Sequence, residues 1–314
     1  MSDIYPFIKW VGGKTQLMDQ VLSKFPKEIS NYYEPFIGGG SVLFNLLNKI
    51  EKKEIKVDSI NISDINKDLI DLYLSIKGKS KKLIKKLKEL KENYEKANVE
   101  KEEKVGRKKI KVMDTIDEAI KAGREHVYYF YRNKFNQLKK SESTKVTSKS
   151  ALFIFLNKTC FRGVYRENSD GIFNVPYGNN KNVSMFDENN LLKINELLKK
   201  YDVKFTITNF YELKDKIKYD KKTFVYLDPP YYPENETSFT SYTSNDFNKE
   251  QHEKLIELCK FINTKKSKFL LSNSNTSFIK DSLKDFNCGI VDCKRQINSK
   301  NPGAETKEVL IYNN

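Results

Sequence analysis

The sequence contains little cysteine or histidine, which most metal and thiol sites require. Its 314 residues include four cysteines and two histidines, with no CxxC pair and no histidine close to a cysteine. A disulfide framework and a structural zinc site both need more of these residues at shorter spacings. His126 and His252 each lie in a polar, helix-like stretch, which disfavours a Ser-His-Asp triad. We therefore predict no metal site.

Long hydrophobic runs are also absent from the sequence. No stretch approaches the roughly 20 apolar residues that a membrane-spanning helix needs. The N-terminal segment MSDIYPFIKW lacks the basic and then apolar design of a signal peptide. These absences predict a cytoplasmic protein without a membrane partner, and a monomer is the expected state.

The positive charge of the chain is concentrated in one quarter of its length. The formal net charge is +15, and between Lys77 and Lys149 there are 20 Lys and 3 Arg against 11 acidic residues. Such clustering is typical of proteins that bind a polyanion. The alternative is a lysine-rich solvated surface, because Lys, Asn and Ile are abundant throughout. Charge alone leaves both interpretations open.

The pattern of apolar residues predicts an α/β core interrupted by a basic insert. Residues 1–76 alternate strand-like and helix-like segments, with a glycine turn at the first crossover, as in a βαβ unit. The alternation resumes over residues 182–314. Residues 77–181 instead predict amphipathic helices, and the Gly, Asn and Pro residues of 162–178 predict a projecting β-hairpin. We therefore divide the chain into a core and an inserted domain at these boundaries.

Two glycine-rich turns are candidate ligand sites. EPFIGGGS (34–41) follows a strand and opens a helix, so its backbone can approach a ligand closely. Asp64 ends the next strand, where an acid can hold ribose hydroxyls. The turn around Lys14 resembles the end of a P-loop but lacks the glycine that opens one. An adenosine-bearing cofactor is favoured over a triphosphate, with Lys14 as a candidate contact and Trp10 as a stacking surface or, alternatively, a core aromatic.

A strand-like run ends on the motif Asp228-Pro229-Pro230-Tyr231, which we predict to be catalytic. The exocyclic amine of adenine is a poor nucleophile until hydrogen-bond acceptors at its hydrogens localise its lone pair. The Asp228 carboxylate is one such acceptor, and the Pro229 carbonyl, held rigid by Pro230, is another. Tyr231 offers a face on which a base can stack. No Pro-Cys dipeptide is present, which excludes C5-methylation of cytosine; a purely structural turn is the alternative.

Five motifs in one order carry a resemblance to a known family: FIKWVGGK, EPFIGGGS, SDINKDLI, NKTCFRGVYRENSDGIFNVPYG and LDPPYY. Over nearly its whole length the chain resembles the Dam-like (D12-class, alpha-group) adenine-specific DNA N6-methyltransferases. The resemblance implies a Rossmann-like core that binds S-adenosylmethionine and an inserted target-recognition domain. It also implies double-stranded DNA as partner, with the target adenine flipped out of the helix. A cognate restriction endonuclease that acts separately is a further candidate partner.

The resemblance also assigns cofactor-binding positions. They are Trp10, Lys14, Phe36, Gly38, Asp64, Asn209, Phe210 and Asp228. One position departs from the family, which often has Asp-Phe where this chain has Asn209-Phe210. Phe210 can still stack on the adenine of the cofactor, and Asn209 can still hydrogen-bond to it with a mixed donor and acceptor pattern.

Four basic residues are the predicted DNA contacts: Lys9, Arg132, Arg162 and Arg166. Arg166 matches a base-reading arginine of GATC-specific members, and bidentate arginine on guanine is a common specific contact. Lys9 matches a further base contact. GATC-specific members commonly carry Asn-Gly where this chain carries Arg162-Gly163. GATC is the expected site, and Arg162 is either a residue that changes it or a phosphate contact.

Three alternative functions remain open from the sequence. N4-methylation of cytosine uses the same amine chemistry, although that subclass more often begins its motif with serine. Methylation of adenine in RNA is the second alternative. A catalytically silent DNA-binding protein of the same fold is the third, and the intact motif argues against it. We expect a site-specific DNA adenine methyltransferase that acts by direct, in-line transfer.

Overall fold

The computed structural model describes most of the chain as two compact units. The described residues are 3–14, 17–97, 110–141, 145–180, 182–234, 247–294 and 305–313. One unit, here called the sheet unit, comprises Met1–Tyr5, Val11–Lys67 and Lys199–Asn314. The other, the helical unit, comprises Pro6–Trp10 and Asp68–Leu198. The predicted boundaries at 76/77 and 181/182 both lie inside the helical unit, and the target-recognition role of 77–181 stays a prediction.

The sheet unit is built on a seven-stranded mixed sheet. Its strands are β1 Glu28–Glu34, β2 Lys56–Asp64, β3 Lys204–Ile207, β4 Phe224–Leu227, β5 Lys268–Ser274, β6 Asn287–Lys294 and β7 Glu305–Tyr312. The strand order is β3-β2-β1-β4-β5-β7-β6. The first five strands in this order pair in parallel, and β7 is antiparallel to both of its neighbours. The predicted α/β, Rossmann-like fold class is confirmed.

The helices are numbered in chain order. They are α1 Met18–Leu22, α2 Ser41–Glu51, α3 Lys67–Lys96, α4 Ile116–Ala122, α5 Arg124–Lys140, α6 Val146–Thr159, α7 Glu188–Lys200, α8 Leu213–Lys216, α9 Lys249–Thr264 and α10 Ser277–Ser282. In the described part of the chain, none of these helices is long and apolar enough to cross a membrane.

Strand β4 is the buried centre of the sheet unit. All four of its side chains are inaccessible to solvent, as the unbroken apolar run predicts for a strand covered on both faces. Val225 and Leu227 belong to a cluster that includes Leu255 of α9. On the other face, the ring of Phe224 lies 4.6 Å from that of Phe25. The residues that follow β4 therefore start from a rigid base.

Strand β6 was not predicted. Among the described residues, it pairs only with β7, at the edge of the sheet. Its sequence NCGIVDCK has a glycine and an aspartate in the middle, and Ile290 is exposed. An edge strand with little burial leaves no strong apolar alternation in the sequence, because pairing rather than burial holds it in place.

The helical unit follows the predicted amphipathic pattern. In α3, Leu83, Leu87, Leu90 and Tyr94 are buried on one stripe, as their spacing indicates. This helix has a kink at Lys79, where φ is −139° and ψ is 35°. Helix α6 is buried on nearly all sides, which agrees with its apolar sequence ALFIFLNKT.

The predicted hairpin is present as two antiparallel bridges after α6. Cys160 pairs with Tyr177, and Glu167 pairs with Phe173. Between these bridges, the Phe161 N–H donates to the Pro176 carbonyl at 2.9 Å and the Asn174 N–H donates to the Arg166 carbonyl at 3.1 Å. Gly178 closes the hairpin, with its backbone N–H donating to the Thr159 carbonyl at 2.8 Å.

We expect Gly178→Ala to destabilise the helical unit by about 1–3 kcal/mol, the usual range for overpacking. A Cβ at this position lies 2.7 Å from the Cys160 carbonyl carbon and 2.9 Å from the Thr159 oxygen, and both are backbone atoms. The measurement is chemical denaturation followed by circular dichroism. Gly78→Ala in α3 is the matched control, because nothing lies within 4 Å of its Cβ. Equal stability of the two variants would contradict the prediction.

Candidate active site

Three neighbouring parallel strands bring acidic residues to one edge of the sheet. Glu34 is the last residue of β1, Asp64 is the last of β2, and Asp228 directly follows β4. Strand β1 lies between β2 and β4, so the strand order reverses here. In open α/β sheets, such a switch point forms the crevice in which ligands bind. The predicted catalytic acid Asp228 and the predicted cofactor acid Asp64 therefore share one edge of the sheet.

Asp228 forms a buried ion pair with Lys14. The Lys14 Nζ lies 2.7 Å from Asp228 Oδ1 and donates to the Gly12 carbonyl at 2.9 Å. The Lys14 side chain is 3% exposed and that of Asp228 is 17% exposed. A lysine is buried this deeply only when its charge is compensated. The sequence predicted Lys14 as a cofactor contact. Its observed contact is with the predicted catalytic motif, and the cofactor contact stays a prediction.

The ion pair sets the protonation state of Asp228. Burial raises the pKa of Asp228 to about 6, and the charge and hydrogen bond of Lys14 oppose that rise. Asp228 is therefore ionised at neutral pH. Lys14 occupies Oδ1, and no described residue donates to Oδ2 or to the Pro229 carbonyl oxygen. The two acceptors required for an amine are thus available together at the end of β4.

Tyr231 is held beside the ion pair by its hydroxyl group. The hydroxyl lies 2.8 Å from Ser272 Oγ and donates to Glu308 at 2.6 Å. The Lys14 Nζ lies 4.8 Å from the centroid of the Tyr231 ring. The predicted stacking ring is thus brought to the same place as the predicted acceptors. Sequence reasoning missed Ser272 and Glu308, which lie 41 and 77 residues further along the chain and carry no motif.

The glycine turn after β1 is joined to the end of β2. The backbone N–H of Gly38 donates to Asp64 Oδ2 at 3.3 Å, and that of Asn66 donates to Oδ1 at 2.9 Å. Gly38 and Gly40 have φ values of 48° and 76°, which favour glycine. Burial raises the pKa of Asp64 to about 6, while its backbone hydrogen bonds oppose the rise.

These groups fit an adenosine moiety. A carboxylate has about four acceptor positions, so Asp64 keeps capacity for ribose hydroxyls after accepting two backbone N–H groups. Ile65, the next residue, is 69% exposed and offers an apolar surface beside the acid. The sequence analysis did not single out Ile65, and its only signal was an apolar residue directly after Asp64.

Phe210, predicted to stack on the adenine of the cofactor, packs against other aromatic rings of the protein. Its ring is buried, with centroids 5.4 Å from Phe36 and 5.3 Å from Phe247. Phe36 is itself a predicted cofactor contact, so the structure brings two of the predicted positions together, and stacking of Phe210 on a cofactor adenine stays a prediction. Asn209 is half-buried, and no described residue bonds to its side-chain amide, which leaves the predicted polar contact available.

Glu34 is a buried acid that sequence reasoning missed. Its side chain is almost inaccessible to solvent, and the Tyr32 hydroxyl donates to its Oε2 at 2.9 Å. Burial raises the pKa of Glu34 to about 8, and the charges of Asp228 and Asp64 add to the rise. At neutral pH Glu34 is therefore mostly protonated and adds little negative charge to the site. Its signal in the sequence was an acid at the end of an apolar strand.

In the helical unit, two of the predicted DNA contacts are neighbours. The Asn157 side chain bonds the backbone N–H and carbonyl of Lys9, each at 2.8 Å, and donates to the Gly163 carbonyl at 2.9 Å. Gly163 follows Arg162 directly, and a Cβ at Gly163 would lie 2.6 Å from Lys9 Cδ. The structure therefore places Lys9 next to Arg162, although the two are far apart in the sequence. Arg162 is exposed, with its guanidinium 5.1 Å from the ring of exposed Phe161.

The other two predicted DNA contacts, Arg166 and Arg132, differ in how far their guanidinium groups are already bonded within the protein. Arg166 is exposed, and its Nε donates to Asn174 Oδ1 at 2.8 Å. No described residue bonds to its terminal nitrogens. Arg132 instead donates to the Val175 carbonyl at 3.0 Å and lies 4.5 Å from the Tyr129 ring. Arg132 thus supports the hairpin from within the helical unit.

Trp10 belongs to the helical unit rather than to the sheet unit. Its ring stacks on Phe153 and Tyr165, with centroids 6.3 and 5.8 Å apart. This is the packing role that the sequence left as the alternative. The predicted cofactor contact of Trp10 stays a prediction.

Comparison with known proteins identifies the relatives of this chain. A family model for the D12 class N6 adenine-specific DNA methyltransferases matches residues 10–297. The chain is 40% identical to the type II methyltransferase M.MjaIII of Methanocaldococcus jannaschii over 99% of both chains. It is 29% identical to the type II methyltransferase M1.LlaDCHI of Lactococcus lactis over 99% of this chain and 96% of that one. It is 30% identical to the DNA adenine methylase of Haemophilus influenzae over 96% and 90%.

We expect Lys14→Met to raise the pKa of Asp228 above its value of about 6, because Lys14 is the group that lowers it. Loss of a nearby positive charge favours the neutral carboxyl, so the protonated form persists to higher pH. Carboxyl carbon chemical shifts measured by NMR across a pH titration, assigned with Asp228→Asn, test this. Lys24→Met is the control, since Lys24 also lies over a tyrosine ring, that of Tyr312. An unchanged or lowered midpoint in Lys14→Met would refute the assignment.

Proposed function

This chain belongs to the D12 class of N6 adenine-specific DNA methyltransferases, and we propose that it methylates adenine at specific sites in double-stranded DNA with S-adenosylmethionine as donor. The observation that carries the proposal is the geometry after β4. Asp228 Oδ2 and the Pro229 carbonyl have no donor among the described residues, and the Tyr231 ring is held beside them. The acid at Asp64 and the glycine turn fit the adenosine portion of the donor.

The residues of the chain would activate the amine rather than attack the donor. When bound, S-adenosylmethionine supplies a methyl group on a positively charged sulfur. Asp228 Oδ2 and the Pro229 carbonyl accept the two hydrogens of the adenine amine and direct its lone pair out of the ring plane. On gaining the methyl group the amine would lose one proton, and Asp228 Oδ2, as the proposed acceptor of that hydrogen, would be placed to take it. Lys14 keeps Asp228 ionised at the start of this sequence.

Tyr231 provides the surface for the target base. A ring fixed by its hydroxyl group loses little further freedom when a base stacks on it. The base must leave the duplex to reach a buried acceptor pair, so the proposal includes base flipping. Breaking one base pair and its stacking costs a few kcal/mol, which the contacts of the flipped base must offset.

Target reading is assigned to the hairpin of the helical unit. Arg166 has its terminal nitrogens available, as bidentate contact with guanine requires. Lys9 and Arg162 lie side by side and are exposed, so both can reach DNA. GATC remains the proposed site, with Arg162 as the residue that would alter it. Arg132 is proposed as a weaker contact, because its guanidinium already holds Val175.

Three further parts of the proposal rest on the sequence and on the names of relatives. The protein is proposed to act as a monomer in the cytoplasm. Two of the relatives named above are type II methyltransferases, which supports a restriction endonuclease that acts separately on the same site. An adenine-specific, site-specific DNA methyltransferase is the enzyme class that these features favour.

We expect the protein to transfer labelled methyl groups from S-adenosylmethionine to adenine N6 in unmethylated duplex DNA. Asp228→Ala should lower the rate at least about 100-fold, because it removes both a transition-state acceptor and the partner of Lys14. Nucleoside analysis by mass spectrometry identifies the product. Asp215→Ala, at an exposed aspartate of α8, is the control that should retain activity. Label in cytosine, label only in RNA, or no label would each overturn the proposal in favour of one alternative.

We expect Arg166→Ala to relax the recognition sequence, with discrimination at one base pair falling by about ten- to a hundredfold. Modification-sensitive sequencing of DNA from cells that express each variant gives the motif. Arg162→Ala distinguishes its two roles. If it contacts phosphate, affinity falls uniformly and the slope of log affinity against log salt decreases by about one. Unchanged specificity in Arg166→Ala would remove Arg166 from the target-reading set.

A further inference from the structure

The hydroxyl of Tyr231 lies between two residues from other strands. Ser272 is a fully buried residue of β5, and Glu308 is a residue of β7. Strand β7 runs antiparallel to β5 in the register that pairs Glu308 with Ser274. Because of this direction, an early residue of β7 lies at the edge where β4 and β5 end. A distant part of the chain thereby delivers a carboxyl group to the catalytic motif.

The direction of the two hydrogen bonds follows from the chemistry of the groups. A carboxylate has no hydrogen to give, so the Tyr231 hydroxyl donates to Glu308 Oε2 at 2.6 Å. The Tyr231 oxygen then accepts from Ser272 Oγ at 2.8 Å. The backbone after the ring is also fixed, because Tyr232 N–H donates to Asn273 Oδ1 at 3.0 Å. Both ends of Tyr231 are thus held by residues outside its own motif.

The bond to Glu308 also changes the electronic character of the ring. A charge-assisted hydrogen bond is shorter and stronger than a neutral one, and it increases the electron density on the phenol oxygen. An electron-rich ring attracts cations at its face more strongly. One face of Tyr231 already lies 4.8 Å from the Lys14 ammonium. Glu308 therefore influences the geometry of the ring and also its electrostatic effect on neighbouring charges.

We propose that Glu308 is a positioning residue for methyl transfer, which fixes the angle of the Tyr231 ring and makes its face more negative. This inference rests on the proposed function, since it requires that a base stacks on Tyr231. In this proposal Glu308 acts through the Tyr231 hydroxyl group that donates to it. Its effect should therefore fall on the chemical step rather than on cofactor binding.

A double-mutant cycle with E308Q, Y231F and the double variant tests the proposal. Gln keeps the size and one acceptor oxygen of Glu308 without the charge, and Phe keeps the ring of Tyr231 without the hydroxyl. The full chain is assayed with labelled S-adenosylmethionine and an unmethylated duplex that contains the recognition site. We expect E308Q to lower kcat about tenfold, in keeping with loss of a charge-assisted hydrogen bond, while the Kd for S-adenosylmethionine changes less than about twofold.

The double variant distinguishes action through Tyr231 from any other role. If both substitutions remove the same hydrogen bond, the kcat of the double variant is lower than that of the wild type by no more than about tenfold. If the two reductions in kcat instead multiply to about a hundredfold in the double variant, Glu308 does not act through Tyr231, and the proposal is overturned. E28Q, at an exposed glutamate at the start of β1, is the matched control with unchanged kcat.

Two further outcomes are decisive. If E308Q does not fold, the test is the kcat of Y231F. An unchanged kcat in Y231F overturns the proposal, because it shows that the hydrogen bonds of the Tyr231 hydroxyl have no role in methyl transfer. A wild-type protein that transfers no methyl group to DNA adenine overturns the proposed function and this inference together. An active wild type with multiplied losses overturns this inference alone.

Discussion

The buried ion pair between Lys14 and Asp228 is the interaction on which the rest of the site depends. Removing a carboxylate from water favours its neutral form, and a neutral Asp228 would offer one acceptor oxygen fewer to an amine. Lys14 opposes that effect from 2.7 Å while occupying only Oδ1. Burial of the site and ionisation of Asp228 are conflicting requirements, because burial favours the neutral carboxyl group. The ion pair satisfies both, since Lys14 keeps the buried Asp228 charged.

The wider charge balance of the site follows from the same constraint. Four carboxyl groups, those of Glu34, Asp64, Asp228 and Glu308, are close enough that several influence one another's pKa values. Lys14 forms an ion pair with one of them, Asp228. Burial resolves part of the repulsion by keeping Glu34 protonated, with a pKa of about 8. The remaining negative charge suits a donor that carries a positive charge and would favour it over a neutral product.

The parts of this protein that the sequence predicts well are those in which burial or a short motif determines the structure. The run before Asp228 is an unbroken apolar strand and is buried on both faces. The glycines at 38 and 40 adopt the positive φ that their position in the turn requires. Asp64 lies at the end of its strand as the βαβ pattern implies. In each case the physical cause is local, so it leaves a local signal.

The parts that the sequence did not predict depend on contacts between distant segments. The ion pair of Lys14 was not predicted, because its partner Asp228 is 214 positions further along the chain. Glu308 reaches Tyr231 only because β7 reverses direction in the sheet. The sequence left Trp10 open between a stacking surface for the cofactor and a core aromatic, and it did not identify Phe153 and Tyr165 as the rings on which Trp10 packs. Such pairings are set by the fold, and no spacing in the sequence records them.

The ion pair also bears on which amine the site is built to activate. N4-methylation of cytosine was an alternative because it needs the same two acceptors, and that subclass more often begins its motif with serine. A serine at position 228 would leave Lys14, which is 3% exposed, without an anion beside it. An uncompensated buried ammonium is strongly unfavourable, so this lysine and this aspartate require one another. The site is therefore committed to a charged acceptor, and the surroundings of Asp228, rather than the motif alone, favour adenine as the substrate.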